Sequence, residues 1–230
     1  YYEEAGEGPA ILLIAPGGMR SSIQAWSAAP WNPIDELKGS FRVVAMDQRN
    51  AGRSEGSIDS EDGWHTYVED QLGLMDYLEI ERFMVAGMCI GGPYIFKLLE
   101  TAEARIKACV VFQTIGRDDN REEFYSMFDN WANDVKTDQE IVSDEALRGL
   151  RENMFGGERI LFSVDDEFLR NTRVPMCVLM GNDVYHPESA SRFVADRVGE
   201  AVFIEDWKEG IEKEKAKTEV IDFLFDHSSN

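Results

Sequence analysis

Basic residues and cysteines are both scarce in this chain of 230 residues. Lysine and arginine number 23 against 44 aspartates and glutamates, a formal net charge of -21 at pH 7. Because nucleic acids and anionic membranes attract clustered Lys and Arg, the imbalance argues against both as partners. The three cysteines show no close metal-type or disulfide spacing, which predicts a reducing, cytoplasmic compartment. We expect no metal ion and no cofactor.

Long hydrophobic runs are also missing. No apolar run reaches the roughly 20 residues that a membrane-spanning helix needs, and no basic-then-apolar leader opens the sequence. The sequence starts at a tyrosine, and we expect the numbering to begin inside the natural protein. With 43% hydrophobic residues, the chain can bury a sizeable core, and its length predicts one domain with an insertion.

Short apolar runs recur along the chain. Each has the length of a strand and is continuous rather than alternating, which is typical of buried parallel strands. Stretches with helical spacing lie between these runs. The alternation predicts an α/β fold with a mostly parallel central sheet and helices on both faces. The six predicted strands are residues 10–16, 41–47, 82–88, 106–113, 174–183 and 201–206.

One segment, residues 117–170, breaks this alternation. It has no convincing core strand, is rich in charge, and spaces its apolar residues as short amphipathic helices do. These are Phe124, Met127, Phe128, Trp131, Leu147, Leu150, Met154 and Phe155. The segment predicts a helical cap over the carboxyl edge of the sheet, where open α/β sheets bind ligands. Residues 1–116 and 171–230 then form the core domain.

The motif GMCIG, residues 87–91, follows a predicted strand and precedes a helical stretch. This is the setting of the G-x-S-x-G nucleophile elbow, with Cys89 in place of serine. The tight turn requires small residues two positions before and after the nucleophile, and the glycines supply them. A helix N-terminus favours a thiolate, so the pKa of Cys89 is expected below that of a free thiol. Cys109 and Cys177, inside strand runs, are interpreted as buried core thiols.

These features together resemble the α/β-hydrolase family, and the matching motifs follow the family's order along nearly the whole chain. The stretch ILLIAPGGMRSS resembles the strand and loop that supply an oxyanion-hole amide. The resemblance implies Gly18 or Met19 as that donor and the amide of Ile90 as the second. The segment 117–170 is similar to the family's cap domain.

Two further motifs carry the resemblance. VVAMDQRNAGRS resembles the D-x-R-G-x-G-x-S loop, although Asn50-Ala51 departs from its glycine pattern. Arg49 in that loop is interpreted as structural. VLMGNDVYHP resembles the strand end that carries the triad acid, which implies Asp183 in this role.

The chain departs from the family in its nucleophile and its histidine. Cysteine at position 89 resembles the dienelactone hydrolases, whereas the capped layout and the DQRNAGRS loop resemble the esterase-like branch. The family pattern places the histidine just after the last strand, where FIEDWKEG, residues 203–210, contains none. A thiol near a helix N-terminus is partly ionised at neutral pH, so cysteine tolerates a poorer base than serine.

Three histidines are candidates for the missing base. His227, at the end of the last helix, is interpreted as a solvated tail residue. His65, near the start of a helix, is interpreted as a packing residue of its first turn. His186 follows Asp183 by three residues, in a loop that borders the same crevice as Cys89, and Asp183 could orient its imidazole. Whether His186, His65 or no histidine is the base stays open, and both loop residues could simply stabilise the loop.

Apolar residues around this crevice predict a pocket for a small molecule with an apolar acyl or aromatic part. They are Met19, Met88, Tyr94, Tyr185, Phe124, Phe128 and Trp131. Arg20 beside the oxyanion loop is either a ligand of a substrate carboxylate or a surface salt-bridge residue.

The leading hypothesis is a hydrolase of carboxylic esters, thioesters or lactones. In it, Cys89 attacks the carbonyl carbon, backbone amides hold the oxyanion, and His186 with Asp183 manages the protons. One alternative is a small-molecule binding or regulatory module on a scaffold that lost its histidine. Another is an acyltransferase or lyase, because one scaffold carries many chemistries. The oligomeric state stays open, a homodimer included.

Overall fold

The computed structural model describes residues 1–138 and 142–229 and contains one seven-stranded sheet. The spatial order of the strands is β1-β3-β2-β4-β5-β6-β7. Strands β2 to β7 run parallel, and β1 pairs antiparallel with β3. Their bounds are β1 Tyr2–Ala5, β2 Ala10–Ile14, β3 Arg42–Met46, β4 Phe83–Met88, β5 Ile106–Phe112, β6 Met176–Leu179 and β7 Ala201–Ile204.

Helices connect the parallel strands. They are α1 Pro33–Leu37, α2 Trp64–Tyr77, α3 Gly91–Ala102, α4 Arg121–Asp138, α5 Asp144–Arg151, α6 Asp166–Asn171, α7 Glu188–Ala195 and α8 Gly210–His227. A short 3-10 turn covers Gly18–Arg20 after β2, and a π-helical turn covers Glu152–Gly156 after α5.

The sheet separates two layers of buried apolar side chains. Side chains point to opposite faces along a strand, so Leu12 and Ile14 of β2 pack with α2 and α3, whereas Ile11 and Leu13 pack with α8. All four are completely buried. Burial on both faces explains why the strands appear in the sequence as continuous apolar runs.

The predicted fold class is confirmed, and each of the six predicted strands forms within its apolar run. Strand β1 is the one element of the sheet that the apolar runs did not indicate. It is four residues long, lies at the sheet edge and is only partly buried, so YEEA has no apolar run.

The segment between β5 and β6 is helical, as its apolar spacing predicts. Its apolar residues join the same buried layer as α2 and α3 instead of forming a separate core. Trp131 of α4 donates a 3.0 Å hydrogen bond to the carbonyl of Asn50, which ties this helix to the loop after β3. Residues 139–141 of the predicted cap lie outside the described residues. The division of the chain into core and cap domains stays a prediction.

No helix among the described residues has the length and apolar character needed to cross a membrane.

Candidate active site

Cys89 lies on the sharp turn between β4 and α3, with a positive φ of 63°. An L-residue adopts this conformation only under tight constraint. A β-carbon on Gly87 would lie 3.0 Å from main-chain atoms of Gly91, and one on Gly91 would lie 2.9 Å from the carbonyl oxygen of Ile14. Both glycines are therefore steric requirements of the turn, as the motif predicts.

The main chain holds the Cys89 turn and surrounds its sulfur with amides. The amide of Cys89 donates to the carbonyl of Phe112 at 3.1 Å, and its carbonyl accepts from Gly92 and Ile115. The amides of Gly17 and Ile90 face the sulfur and favour its ionised form. Cys89 is only partly buried, whereas the other two cysteines are fully buried. Burial raises the pKa of both of those thiols far above the ordinary value.

Asp183 and His186 form a compact turn directly after β6. Nδ1 of His186 lies 2.8 Å from both carboxylate oxygens of Asp183. The same carboxylate accepts backbone hydrogen bonds of 3.0 Å from Tyr185 and His186. Nε2 of His186 is buried and makes no conventional hydrogen bond within the described part of the chain. Because Asp183 occupies Nδ1, Nε2 is the nitrogen left for the Cys89 sulfur.

Sequence reasoning missed Gly181, which makes room for this turn. A β-carbon there would lie 2.4 Å from the carbonyl oxygen of His186 and 2.6 Å from its Cβ. The amide of Gly181 donates to the buried hydroxyl of Ser191 at 3.0 Å, which anchors the start of the turn to α7. Its place two residues before the predicted acid is the signal that could have indicated a tight turn.

The three side chains change each other's pKa. Burial raises the pKa of the Cys89 thiol, but the His186 imidazole and the two amides outweigh burial and lower it overall. Burial lowers the pKa of His186, and its interactions with Cys89 and Asp183 more than compensate and raise it. Burial raises the pKa of Asp183, and its hydrogen bonds with His186 lower it overall. These shifts favour a thiolate beside an imidazolium, and the ionised Asp183 carboxylate stabilises the imidazolium.

The other two histidines lie elsewhere. His65 is exposed on the first turn of α2 and contacts its neighbours Gly63 and Thr66. Nδ1 of His227, near the end of α8, lies 2.8 Å from the carbonyl oxygen of Phe223, and its ring packs on the Phe223 ring. Of the three candidates, His186 is the one that the structure brings to Cys89.

The position where the family resemblance implies a histidine is occupied by Trp207 and Lys208. Trp207 is 1% exposed and donates a 2.8 Å hydrogen bond from Nε1 to the carbonyl of Met180. Nζ of Lys208 donates to Oδ1 of Asn182. This loop therefore contacts the residues that precede Asp183.

The assignment of Gly18 or Met19 as an oxyanion donor stays a prediction. Gly17 contributes the amide that faces the Cys89 sulfur, one residue before Gly18 and two before Met19. Gly17 and Gly18 have φ values of 121° and 58°, which favour glycine, and Met19 is buried. A β-carbon on Gly18 would lie 2.7 Å from the sulfur of Met127 in α4, so this helix covers the loop.

Most of the predicted pocket residues belong to one aromatic cluster between α4 and the sheet. Phe124, Phe128 and Trp131 are 1% exposed in it, and their role in a pocket stays a prediction. Phe124 packs against Tyr185 with ring centroids 5.6 Å apart, and Phe128 packs against Trp131 at 5.1 Å. Met88 is the exception. Side chains alternate along β4, so Met88 is buried in the layer beneath α8, away from this cluster. Met88 is therefore corrected from pocket residue to core residue.

Both arginines named in the sequence have protein partners. Arg20 forms an ion pair with Asp134 and a 3.0 Å hydrogen bond to the carbonyl of Asn130, both in α4. This matches the salt-bridge alternative and leaves no positive charge free at that position. Arg49 forms a bidentate pair with Asp70, at 2.7 and 2.8 Å, which links the loop after β3 to α2.

Comparisons with known proteins agree with this fold. A family model described as alpha/beta hydrolase fold matches residues 10–154, more than half of the chain. The chain is 36% identical over 87 residues to a provisionally named carbamate hydrolase RutD of Agrobacterium fabrum, which is 37% of this chain and 31% of that protein. It is 29% identical over 114 residues to 2-hydroxymuconate semialdehyde hydrolase of a Pseudomonas species, 49% of this chain and 39% of that protein.

Structural similarity extends over nearly the whole chain. The enol-lactonase from Burkholderia xenovorans superimposes with a TM-score of 0.70 at 22% identity, and the match covers 98% of this chain and 96% of the enol-lactonase chain. At this identity the likeness shows the fold alone. The sequence matches to the two curated relatives span only 31% and 39% of their lengths.

Proposed function

Because the chain belongs to the α/β-hydrolase fold family, we propose that it hydrolyses carboxylic esters, thioesters or lactones through an acyl-cysteine on Cys89. The arrangement of His186 between the Asp183 carboxylate and the Cys89 sulfur is the observation that carries this proposal. It supplies the histidine that the usual position lacks. The names of the two sequence relatives, a carbamate hydrolase and a 2-hydroxymuconate semialdehyde hydrolase, support carbonyl compounds as the substrate class.

Acylation begins with the thiolate of Cys89. Its sulfur attacks the carbonyl carbon, a C–S bond forms, and the carbonyl electron pair moves onto oxygen. The amide of Ile90 and an amide of the Gly17–Met19 turn donate to this oxyanion. When the carbonyl reforms, the bond to the leaving oxygen or sulfur breaks, and the His186 imidazolium gives its Nε2 proton to the leaving group.

Deacylation uses the same groups in reverse. Neutral His186 accepts a proton from a water molecule while the water oxygen attacks the thioester carbon. The C–S bond then breaks, which releases the acid and restores the thiolate beside the imidazolium. Asp183 keeps the imidazole oriented through Nδ1 and stabilises its positive charge in both half-reactions.

The aromatic cluster of Phe124, Phe128, Trp131 and Tyr185 supports an apolar acyl or aromatic substrate part. Arg20 has an ion-pair partner in α4 and the net charge is -21, so a neutral substrate is favoured over an anionic one. We also propose that the chain belongs to the capped, esterase-like branch of the family and that it is located in the cytoplasm.

The test is the covalent intermediate. The chain is mixed with a p-nitrophenyl ester at pH 7, and intact mass is followed together with nitrophenolate release. We expect a burst and an acyl adduct on the peptide containing Cys89, and loss of both in Cys89→Ala. Cys109→Ala is the matched control because that thiol is fully buried in β5, and it should keep the adduct.

Three outcomes contradict the proposal. Full turnover in Cys89→Ala excludes the acyl-cysteine mechanism. Ligand-induced thermal stabilisation without turnover, unchanged in Cys89→Ser, supports the binding-module alternative instead. If the product is an ester formed from an added alcohol in preference to the acid, the protein is an acyltransferase.

A further inference from the structure

The loop after β7 contacts the start of the Asp183 turn at two points. Nε1 of the buried Trp207 donates to the carbonyl of Met180 at 2.8 Å. The ammonium of the next residue, Lys208, donates to Oδ1 of Asn182, which directly precedes Asp183. The family resemblance implies a histidine in this loop. Here the loop instead contacts Met180 and Asn182, which precede the turn that carries His186.

We propose that Lys208 is a positioning residue that holds the Asn182–His186 turn through Asn182 and places a positive charge beside the Asp183 carboxylate. This inference rests on the proposed function, because it assigns a role in aligning His186 with Cys89. Lys208 itself touches neither the substrate nor Cys89 in this role.

The charges in this region alternate in sign. They run from the Cys89 thiolate to the His186 imidazolium, then to the Asp183 carboxylate and the Lys208 ammonium. Burial lowers the pKa of Lys208, and the negative charge of Asp183 partly offsets this effect. The Lys208 ammonium, the last of these four charges, reduces the negative potential that the Asp183 carboxylate exerts on His186.

Charged groups on other elements around the turn already have partners. On α7, Glu188 pairs with Arg192, which also binds Glu205 of the β7 loop. In the loop after β5, Asp118 accepts a 2.7 Å hydrogen bond from Ser189. The exposed Asp206 and Glu209 flank Lys208 in sequence. Lys208 is held next to the Asp183 turn by its hydrogen bond to Asn182, and the negative charge of Asp183 acts on its ammonium.

Removal of this ammonium should therefore have two effects. The turn loses its contact at Asn182, so His186 is less well aligned with the sulfur. The uncompensated carboxylate then stabilises the imidazolium more strongly, which raises the pH at which His186 loses its proton. The Cys89 thiol also ionises at a slightly higher pH, because a positive charge has gone from its surroundings.

The experiment compares Lys208→Met and Lys208→Arg with Lys215→Met. Lys215 is exposed on α8 and pairs with Glu212, so Lys215→Met makes the same charge change away from the site. Two readouts are followed against pH: kcat and KM for a p-nitrophenyl ester, and the rate of Cys89 alkylation by iodoacetamide. The second readout does not require turnover.

In Lys208→Met we expect kcat to fall about two- to fivefold at unchanged KM, and both pH profiles to move upward by a few tenths of a unit. Lys208→Arg should restore most of the loss, and Lys215→Met should behave as wild type. Unchanged pH profiles in Lys208→Met overturn the proposal, even if the melting temperature falls. A shifted alkylation profile in a protein that hydrolyses no ester, thioester or lactone supports the role of Lys208 and refutes the proposed function.

Discussion

Substitution of Gly181 by alanine tests whether steric space after β6 determines the position of the His186 turn. The added methyl group would lie 2.4 Å from the carbonyl oxygen of His186, whereas ordinary contacts begin near 3.4 Å. The obstacle is main chain, so no side-chain rotation relieves the clash. The turn must move by about 1 Å, the difference between these distances.

Two magnitudes follow from this displacement. Overpacking of this kind costs about 1–3 kcal/mol of unfolding free energy, which lowers the melting temperature of a chain of this size by about 2–12 °C. A displacement of about 1 Å at a catalytic group costs up to roughly 100-fold in rate. We therefore expect that Gly181→Ala stays mostly folded at 25 °C, whereas its kcat/KM falls strongly relative to wild type.

The assay measures kcat/KM for a p-nitrophenyl ester, Cys89 alkylation at pH 7 and thermal unfolding by circular dichroism. Gly199→Ala is the matched control, because a β-carbon at Gly199 meets nothing within 4 Å. If Gly181→Ala retains wild-type turnover and alkylation, Gly181 does not position His186, whether or not its melting temperature falls.

Two further predictions concern the sulfur and the substrate pocket. In His186→Gln the imidazolium is lost, so the pKa of Cys89 rises; at pH 6 its rate of alkylation should fall by about tenfold, the change for one pKa unit. An unchanged rate would mean that the amides of Gly17 and Ile90 alone stabilise the thiolate. In Met127→Ala the space over Gly18 grows, so the ratio of kcat/KM for hexanoate over acetate esters should rise by about tenfold. A constant ratio would place the acyl group elsewhere, and Met154→Ala, in the buried interior, is a control for general loosening.

The elbow is the part of the site that sequence reasoning located best. Gly87, Cys89 and Gly91 satisfy a local steric rule, and every atom in that rule lies within a few residues, apart from Ile14 on the neighbouring strand. Such a rule can be read from spacing alone. The paired apolar runs on either side also indicated the strand and the helix, because buried parallel strands are apolar on both faces.

The side chains on the Cys89 side of the sheet were harder to predict, because they depend on which face of an element a side chain occupies. Met88 lies next to Cys89 in sequence, but the alternation of β4 buries it beneath α8. The sequence also did not indicate which amide of the loop after β2 faces the Cys89 sulfur. A run of glycines indicates a tight turn, but it does not specify that the amide of Gly17 faces the sulfur.

The sequence by itself determined the parallel sheet, the elbow and the absence of a histidine from the loop directly after β7, since each depends on local pattern or residue identity. Only the tertiary structure decided that His186 pairs with Asp183 through Nδ1 and has Nε2 left for Cys89. Cys89 and His186 are far apart in sequence and come from the ends of β4 and β6. Their approach depends on strand order, on the room that Gly181 leaves and on the direction of a four-residue turn, none of which a sequence pattern encodes.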